Sequence, residues 1–301
     1  MTHVSKPFRF KENQPVTWFH KVDARSNQHC LYCHRPVCTG DIAWNKEHLI
    51  GRSFVPDGSL DGGRAFNFIF RACVECNKEK AEAERHISSV SLFTSPGRVD
   101  ENVNALANRK AATDFHPIQQ GKLVKDASIE KSIEIAGGNV STKFGLVGPP
   151  QLDPSYVQLL AFRHIQGFFS LITSDDPTAA EGTRLLPHDH WWFGGSYPHL
   201  DWGNVRIKEM AQRVEAWETP LNIVTANGFF KAVIRCAPNA NGPWFWALEW
   251  NKSWRSFGGI FDTQNHPAEF NNLPSPERKH LGSSLTMYKQ IRLEENEDKL
   301  F

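Results

Sequence analysis

Four cysteines in the first third of the chain form two closely spaced pairs, which are Cys30-Leu31-Tyr32-Cys33 and Cys73-Val74-Glu75-Cys76. A CxxC turn directs two thiolates at one metal ion, and zinc favours four thiolates in a tetrahedron. The two pairs together therefore predict a structural zinc site, because four protein ligands leave no open coordination position for catalysis. The remaining cysteines, Cys38 and Cys236, have no partner by spacing and are expected to be buried or neutral thiols.

The residues between and just after these pairs include several that hydrolysis of a phosphodiester bond would need. A neutral histidine such as His48 can take a proton from the attacking water. A hard divalent ion, held by few protein ligands and several waters, can stabilise the phosphate and the leaving oxygen. Carboxylate and amide oxygens are the side-chain ligands that suit such an ion, and both occur in this segment.

The order of these residues resembles the HNH nuclease family. That family commonly has a CxxC pair, an acidic residue followed by His, a loop with Ser and Gly-Gly, an Asn before the third cysteine, and CxxC-Asn-x-x-Lys at the start of a helix. The resemblance covers roughly residues 28–90. The matching residues beyond the first cysteine pair are Glu47-His48, Ser53, Gly62-Gly63, Asn67 and Cys76-Asn77-Lys78-Glu79-Lys80.

The resemblance implies a ββα-metal architecture and an endonuclease that hydrolyses nucleic acid, with DNA the expected substrate. It implies His48 as general base, with Glu47 and Asn77 as ligands of a catalytic Mg²⁺ or Mn²⁺ ion. It also implies that Asn67 orients the loop or the His48 ring. The residues expected to contact substrate phosphates are Lys80 and Arg52.

Length and charge limit the kind of protein this can be. The chain has 301 residues and a formal net charge of only +1. A protein that coats DNA without specificity is usually far more basic, so any positive surface must be local. No apolar run approaches the roughly 20 residues that span a bilayer, and the first residues contain no apolar signal core. We therefore expect a cytoplasmic protein without a membrane segment, and both a monomer and a homodimer stay open.

The sequence pattern predicts three parts. Residues 1–94 form the zinc-stapled nuclease domain, and residues 95–150 form a structured connector with a helix near 103–112 and a turn at Gly137-Gly138. Residues 151–301 form a second domain that selects the target or regulates cleavage. The predicted fold class is therefore α+β, with an N-terminal ββα-metal unit and a C-terminal α+β domain that contains an antiparallel sheet.

Helix signals precede strand signals in residues 151–301. Asp153-Pro154 is a good helix start, and that helix should run to about 172. Apolar residues near period 3.6 predict a second helix over 204–218. Beyond it the period changes to two, and Asn227-Gly228 is a strong hairpin signal. The strands that this pattern predicts cover 221–226, 229–236, 244–250 and 255–261.

Several side chains allow two interpretations. The indole-rich face of the strand over 244–250 could stack bases, but helices usually cover one face of an α+β sheet, which favours a core. His188-Asp189-His190 could chelate a metal, although its loop setting favours no metal. His86, further along the helix that carries Asn77, is expected to be a surface residue.

Two other functions are compatible with the sequence, and the first of them involves no cleavage of nucleic acid. One is a non-catalytic, zinc-dependent nucleic-acid-binding protein, which would not need Glu47-His48 together with Asn77. Another is a sensor-effector in which residues 151–301 bind a small molecule or partner protein that activates cleavage. Members of the family often serve bacteria and phages in defence or restriction, and that setting is an expectation by analogy.

Overall fold

A computed structural model describes most of the chain. The described residues are 8–10, 27–37, 39–60, 66–93, 101–137, 140–148, 150–173, 186, 188–198, 204–238, 242–275, 278–281, 285–288 and 299–301. Cys38, Gly62-Gly63 and Gly138 lie outside them.

Strand β1 (Phe8–Phe10) belongs to the large sheet described below. The zinc-site segment, which is the part of the chain from the first cysteine pair to the helix after the second, contains two strands followed directly by that helix. Strand β2 (Trp44–His48) pairs with β3 (Ile69–Cys73) in an antiparallel hairpin. Helix α1 (Val74–Phe93) begins at the residue after β3. Its first half is rich in Ala, Glu and Lys, which are strong helix formers. The local order is therefore ββα.

The connector contains the two elements that the sequence predicts. Helix α2 (Glu101–Thr113) packs against α1. Strands β4 (Ile129–Gly137) and β5 (Val140–Gly148) form an antiparallel hairpin in which Gly137 pairs with Val140, while Gly138 of the predicted turn lies outside the described residues. The predicted helix near 103–112 is confirmed.

Helices and one large sheet dominate the last half of the chain. Helix α3 (Pro154–Thr173) and helix α4 (Asn204–Arg213) flank this sheet, which among the described residues has the strand order β1-β7-β8-β9-β10-β6. All neighbouring strands are antiparallel except β1 and β7, which run parallel. The strands not yet bounded are β6 (Trp191–Pro198), β7 (Glu218–Thr225), β8 (Phe230–Cys236), β9 (Trp244–Trp250), β10 (Trp254–Ile260), β11 (Arg278–Leu281) and β12 (Leu285–Tyr288).

Capping fixes where α3 begins. The Asp153 carboxylate accepts a hydrogen bond from the Ser155 backbone N–H at 2.7 Å, as an N-cap residue should. The predicted helix over 204–218 is shorter in the structure, because its last turn tightens at Val214. The Val214 carbonyl accepts from the Trp217 N–H at 3.1 Å and from the Arg235 guanidinium at 3.2 Å.

Both faces of the large sheet are buried. Trp246 and Trp250 pack in the hydrophobic cluster that contains α3, while Phe245 and Ala247 pack in a second cluster with residues of α4. The indole face of β9 is therefore core, as the sequence interpretation favoured. Truncating either buried tryptophan to Ala would remove about 3–5 kcal/mol of stability.

One hydrophobic cluster joins the zinc-site segment to the last half of the chain. It includes residues from Cys30 to Ile260, and α3 packs on α1 as well as near β6 and β7. Mixed helices and largely antiparallel sheets agree with the α+β class. The division into three domains stays a prediction. No helix of the described residues has the length and apolar character needed to cross a membrane.

Candidate functional site

The four predicted cysteines come together. The sulfur atoms of Cys30, Cys33, Cys73 and Cys76 all lie within 4.8 Å of one another, and the Cys33 and Cys73 sulfurs are 3.6 Å apart. Tetrahedral zinc with Zn–S bonds of about 2.3 Å places its sulfurs about 3.8 Å apart, so the cluster fits that ion. Within the described residues, it is the one group of three or more His, Cys, Asp and Glu side chains with this geometry.

Backbone hydrogen bonds and one arginine hold the two cysteine turns. The first turn closes through a bond from the His34 N–H to the Cys30 carbonyl at 2.8 Å. The second turn joins the end of β3 to the first turn of α1, so a zinc ion there would fix where the helix starts. The Arg35 guanidinium donates to the sulfurs of Cys33 and Cys73, each at 3.3 Å, which offsets thiolate charge.

His48 ends β2 and is half-buried. Its Nε2 atom is buried and has no hydrogen-bond partner among the described residues. Burial lowers the pKa of His48 to about 4, and the nearby cations of Lys46 and Arg52 act in the same direction. The imidazole is therefore neutral at neutral pH, which is the form that accepts a proton.

Glu47 points to the other face of β2, into a buried ionic network. Its Oε1 atom lies 2.8 Å from the Lys80 ammonium and accepts a hydrogen bond from the Tyr32 hydroxyl at 3.1 Å. The Lys80 ammonium also donates to Glu84 at 2.7 Å and to the His48 backbone carbonyl at 3.2 Å. One lysine thus joins both carboxylates to the backbone of the candidate base.

Burial and charge set the ionisation of this network. Burial disfavours the ammonium, but the carboxylates of Glu84 and Glu47 outweigh it and raise the pKa of Lys80. Burial raises the pKa of Glu47, and the neighbouring Glu84 adds to this against the attraction of Lys80. Burial also opposes the charge on Glu84, yet Lys80 and the His164 side chain keep the pKa of Glu84 below its usual range. The arrangement is a buried Lys80–Glu84 ion pair with Glu47 beside it.

These positions differ from what the resemblance implies for Lys80 and Glu47. Lys80 is 1% exposed and is enclosed by two carboxylates, so its ammonium does not face a substrate phosphate. Glu47 is 5% exposed and already binds a cation, so a catalytic ion would have to share it with Lys80. Both residues therefore lie in the protein interior, where the Lys80 ammonium also bonds to the His48 backbone carbonyl.

Sequence reasoning missed the partners in this network. Glu84 lies four residues after Lys80, and that i, i+4 spacing on a helix could have indicated the ion pair. His164 comes from α3 and is fully buried, with its Nε2 atom 3.6 Å from Glu84. Burial lowers the pKa of His164 to about 4, so this contact joins a neutral ring to the network. The sequence contains no local signal for it.

Asn67 holds the loop that follows β2. Its amide accepts a hydrogen bond from the Ile50 N–H at 3.1 Å and donates one to the Ile50 carbonyl at 2.6 Å. The loop is also tied to α1, since Glu84 accepts a bond from the Gly51 N–H at 2.9 Å. Asn67 therefore fixes the backbone two residues after His48.

The other expected site residues are more accessible. Asn77 lies in the first turns of α1 and is partly exposed, one residue after the zinc-site cysteine Cys76. Arg52 is exposed in the loop after β2. The Gly62-Gly63 pair of the resemblance lies outside the described residues.

Helix α3 contacts both the first cysteine turn and α1. The side chains of Arg163 and Gln166 donate to the Tyr32 carbonyl at 3.3 and 3.1 Å. Arg163 also pairs with Glu79 of α1 at 3.0 Å, and its guanidinium lies 5.0 Å from the centre of the Tyr32 ring. An element from the last half of the chain therefore braces the zinc site.

His86 is not a surface residue, contrary to the sequence expectation. It is buried, and its Nε2 atom accepts a hydrogen bond from the Asp153 N–H at 2.8 Å. The rings of His116 and Tyr156 pack against it. His86 is enclosed because α3 begins directly above it, which the local sequence around His86 does not reveal.

Comparison of the chain with protein-family models, with curated proteins and with solved structures finds no match.

Proposed function

We propose that this chain is a metal-dependent endonuclease of the HNH type that hydrolyses phosphodiester bonds in nucleic acid, with DNA the expected substrate. The observation that carries the proposal is the state of His48. It ends the first strand of a ββα unit, its Nε2 atom has no partner among the described residues, and its ring is neutral. A neutral imidazole with an unused nitrogen is what a general base requires.

Three neighbours support His48 in that role by fixing its position. Lys80 binds the His48 carbonyl, Asn67 binds the backbone at Ile50, and the strand pairs His48 with Ile69 of β3. These contacts fix the backbone that carries the imidazole, and a base positioned in advance loses little entropy when the substrate arrives. Because Nε2 is buried in the free protein, substrate binding must open a path to it before it can take the proton of the attacking water.

The proposed catalytic ion is Mg²⁺ or Mn²⁺. When bound, such an ion would neutralise charge on the phosphate and on the leaving oxygen. Asn77 offers an amide oxygen near the start of α1, and Glu47 could add an oxygen that Lys80 does not hold. Because Glu47 is paired with Lys80, Asn77 and substrate oxygens are the ligands we expect to matter most.

Residues 151–301 are proposed to control where or when cleavage occurs, and a ligand or partner protein could act through them. The bracing of the first cysteine turn by Arg163 and Gln166 supports this part of the proposal. A shift of α3 would change its contacts with the first cysteine turn and with α1. The cytoplasmic location and a role in defence or restriction remain expectations from the sequence.

The proposal is tested by incubating purified protein with supercoiled plasmid, single-stranded DNA and RNA. Each substrate is tested with Mg²⁺, with Mn²⁺ and without added divalent ion. We expect cleavage that needs the added ion, and Asn77→Ala should need a higher Mg²⁺ concentration for the same rate. Binding of these substrates without cleavage in any condition would instead identify a non-catalytic zinc protein, and the nuclease proposal would fail.

A further inference from the structure

The outer face of the β2–β3 hairpin carries a row of residues that the proposed chemistry does not use. Side chains alternate along a strand, so Trp44, Lys46 and His48 share one face of β2. Arg71 lies directly opposite Lys46 in the antiparallel register and therefore lies on the same face. We call Trp44, Lys46 and Arg71 the outer-face residues.

Lys46 and Arg71 form a pair of like charges across the two strands. Like charges directly opposite each other destabilise a sheet, so this pair has a cost in the free protein. The backbone of Arg71 is nevertheless held firmly, because Asn27 accepts from its N–H and donates to its carbonyl, both at 2.8 Å. Two adjacent cations on the same face form a site that suits an anion such as a phosphate.

Trp44 is an exposed large hydrophobic residue. It is 43% exposed, and the Arg71 guanidinium lies 4.8 Å from the centroid of its ring. The guanidinium covers part of the indole, and the accessible remainder can receive a nucleobase. An arginine, an indole and a base would then stack in sequence.

We propose that the outer-face residues bind a nucleic-acid strand with unpaired bases and lead it to His48. Two residues along a strand span about 7 Å, so a phosphate held at Lys46 would lie about that distance along β2 from the candidate base, with Arg71 on the side of Trp44. Trp44, two residues further, would stack a base of the same strand. The inference rests on the proposed function, because it takes His48 as the general base at the phosphodiester bond that is hydrolysed.

Binding can be measured separately from cleavage in a His48→Ala background without added divalent ion. The probes are a fluorescein-labelled single-stranded DNA, an RNA of the same sequence and the corresponding duplex. Fluorescence anisotropy at several salt concentrations gives the Kd and its salt dependence. The variants are Trp44→Ala, Trp44→Phe and Lys46→Gln, and the matched control is Lys125→Gln, another exposed lysine that lies outside the hairpin.

Trp44→Ala should weaken single-strand binding by about 5- to 100-fold, and Trp44→Phe should recover part of that loss. Lys46→Gln should reduce the slope of log K against log salt by about 0.7, the value for one lost phosphate contact on a single strand. Lys125→Gln should change neither quantity. Zinc content and the thermal midpoint, measured for each variant, should match those of the parent.

Two outcomes would overturn the inference. One is single-strand binding with the same Kd and salt slope in Trp44→Ala, Lys46→Gln and the parent. The other is tighter binding of the duplex that is insensitive to Trp44→Ala. Neither result tests whether His48 takes part in cleavage. Conversely, the expected binding pattern in a protein that never cleaves would refute the nuclease proposal and leave this surface in place.

Discussion

Cys76→Ser should remove the zinc and unfold the segment that contains the candidate site. Cys76 lies in the first turn of α1 and is buried, so its thiolate fixes the helix start to the first cysteine turn. The apparent binding free energy of structural zinc sites is about 10–16 kcal/mol in isolated peptides, and that energy is folding energy. A serine hydroxyl cannot replace a thiolate in such a site.

The measurement is zinc per chain by elemental analysis, together with thermal unfolding. We expect about one zinc per chain in the wild type and a loss of both zinc and the main unfolding transition in Cys76→Ser. The matched control is Cys236→Ser, whose thiol lies in β8 away from the cluster and has its pKa raised to about 11 by burial. Folded wild-type protein without zinc would refute the metal site.

Lys80→Met should destabilise the protein by about 3–5 kcal/mol. The lysine is the cation between Glu47 and Glu84, and all three side chains are buried. Removing it leaves carboxylates without a counter-charge in the interior, which is more costly than losing the ion pair itself. Urea unfolding, with the slope m compared between variants, measures this change.

Two comparisons separate the network from a general effect of the substitution. Lys78→Met changes an exposed lysine two residues earlier on α1 and should alter stability by less than about 0.5 kcal/mol. Adding Glu84→Gln to Lys80→Met removes one of the uncompensated charges and should restore part of the loss. A Lys80→Met protein as stable as Lys78→Met would show that the network does not hold the fold together.

Local patterns in the sequence predicted most of the elements correctly. The CxxC spacing predicted the cluster of four sulfurs, and Asp153 predicted the start of α3. Asn227-Gly228 predicted the hairpin between β7 and β8. Each of these signals acts over a few residues, through a turn geometry or a cap. That is why they can be recognised without knowing what packs above them.

The burial and the neighbours of a side chain, in contrast, depend on contacts between distant parts of the chain. The sequence of its own helix does not show that Lys80 is buried, but β2 brings Glu47 to Lys80, and α3 brings His164 to the Glu84 that pairs with it. His86 is covered in the same way, by the start of α3. The position of a residue along a helix does not show what covers it. The resemblance therefore implied Lys80 at the substrate, and the sequence led us to expect His86 at the surface.

The role of His48 as general base is tested by comparing Mg²⁺-dependent plasmid cleavage by the wild type and by His48→Ala at equal zinc content. We expect the substitution to lower the cleavage rate by about 10²- to 10⁴-fold, the usual contribution of a general base, while zinc content and thermal midpoint stay unchanged. Cleavage by His48→Ala at the wild-type rate would contradict the proposed mechanism.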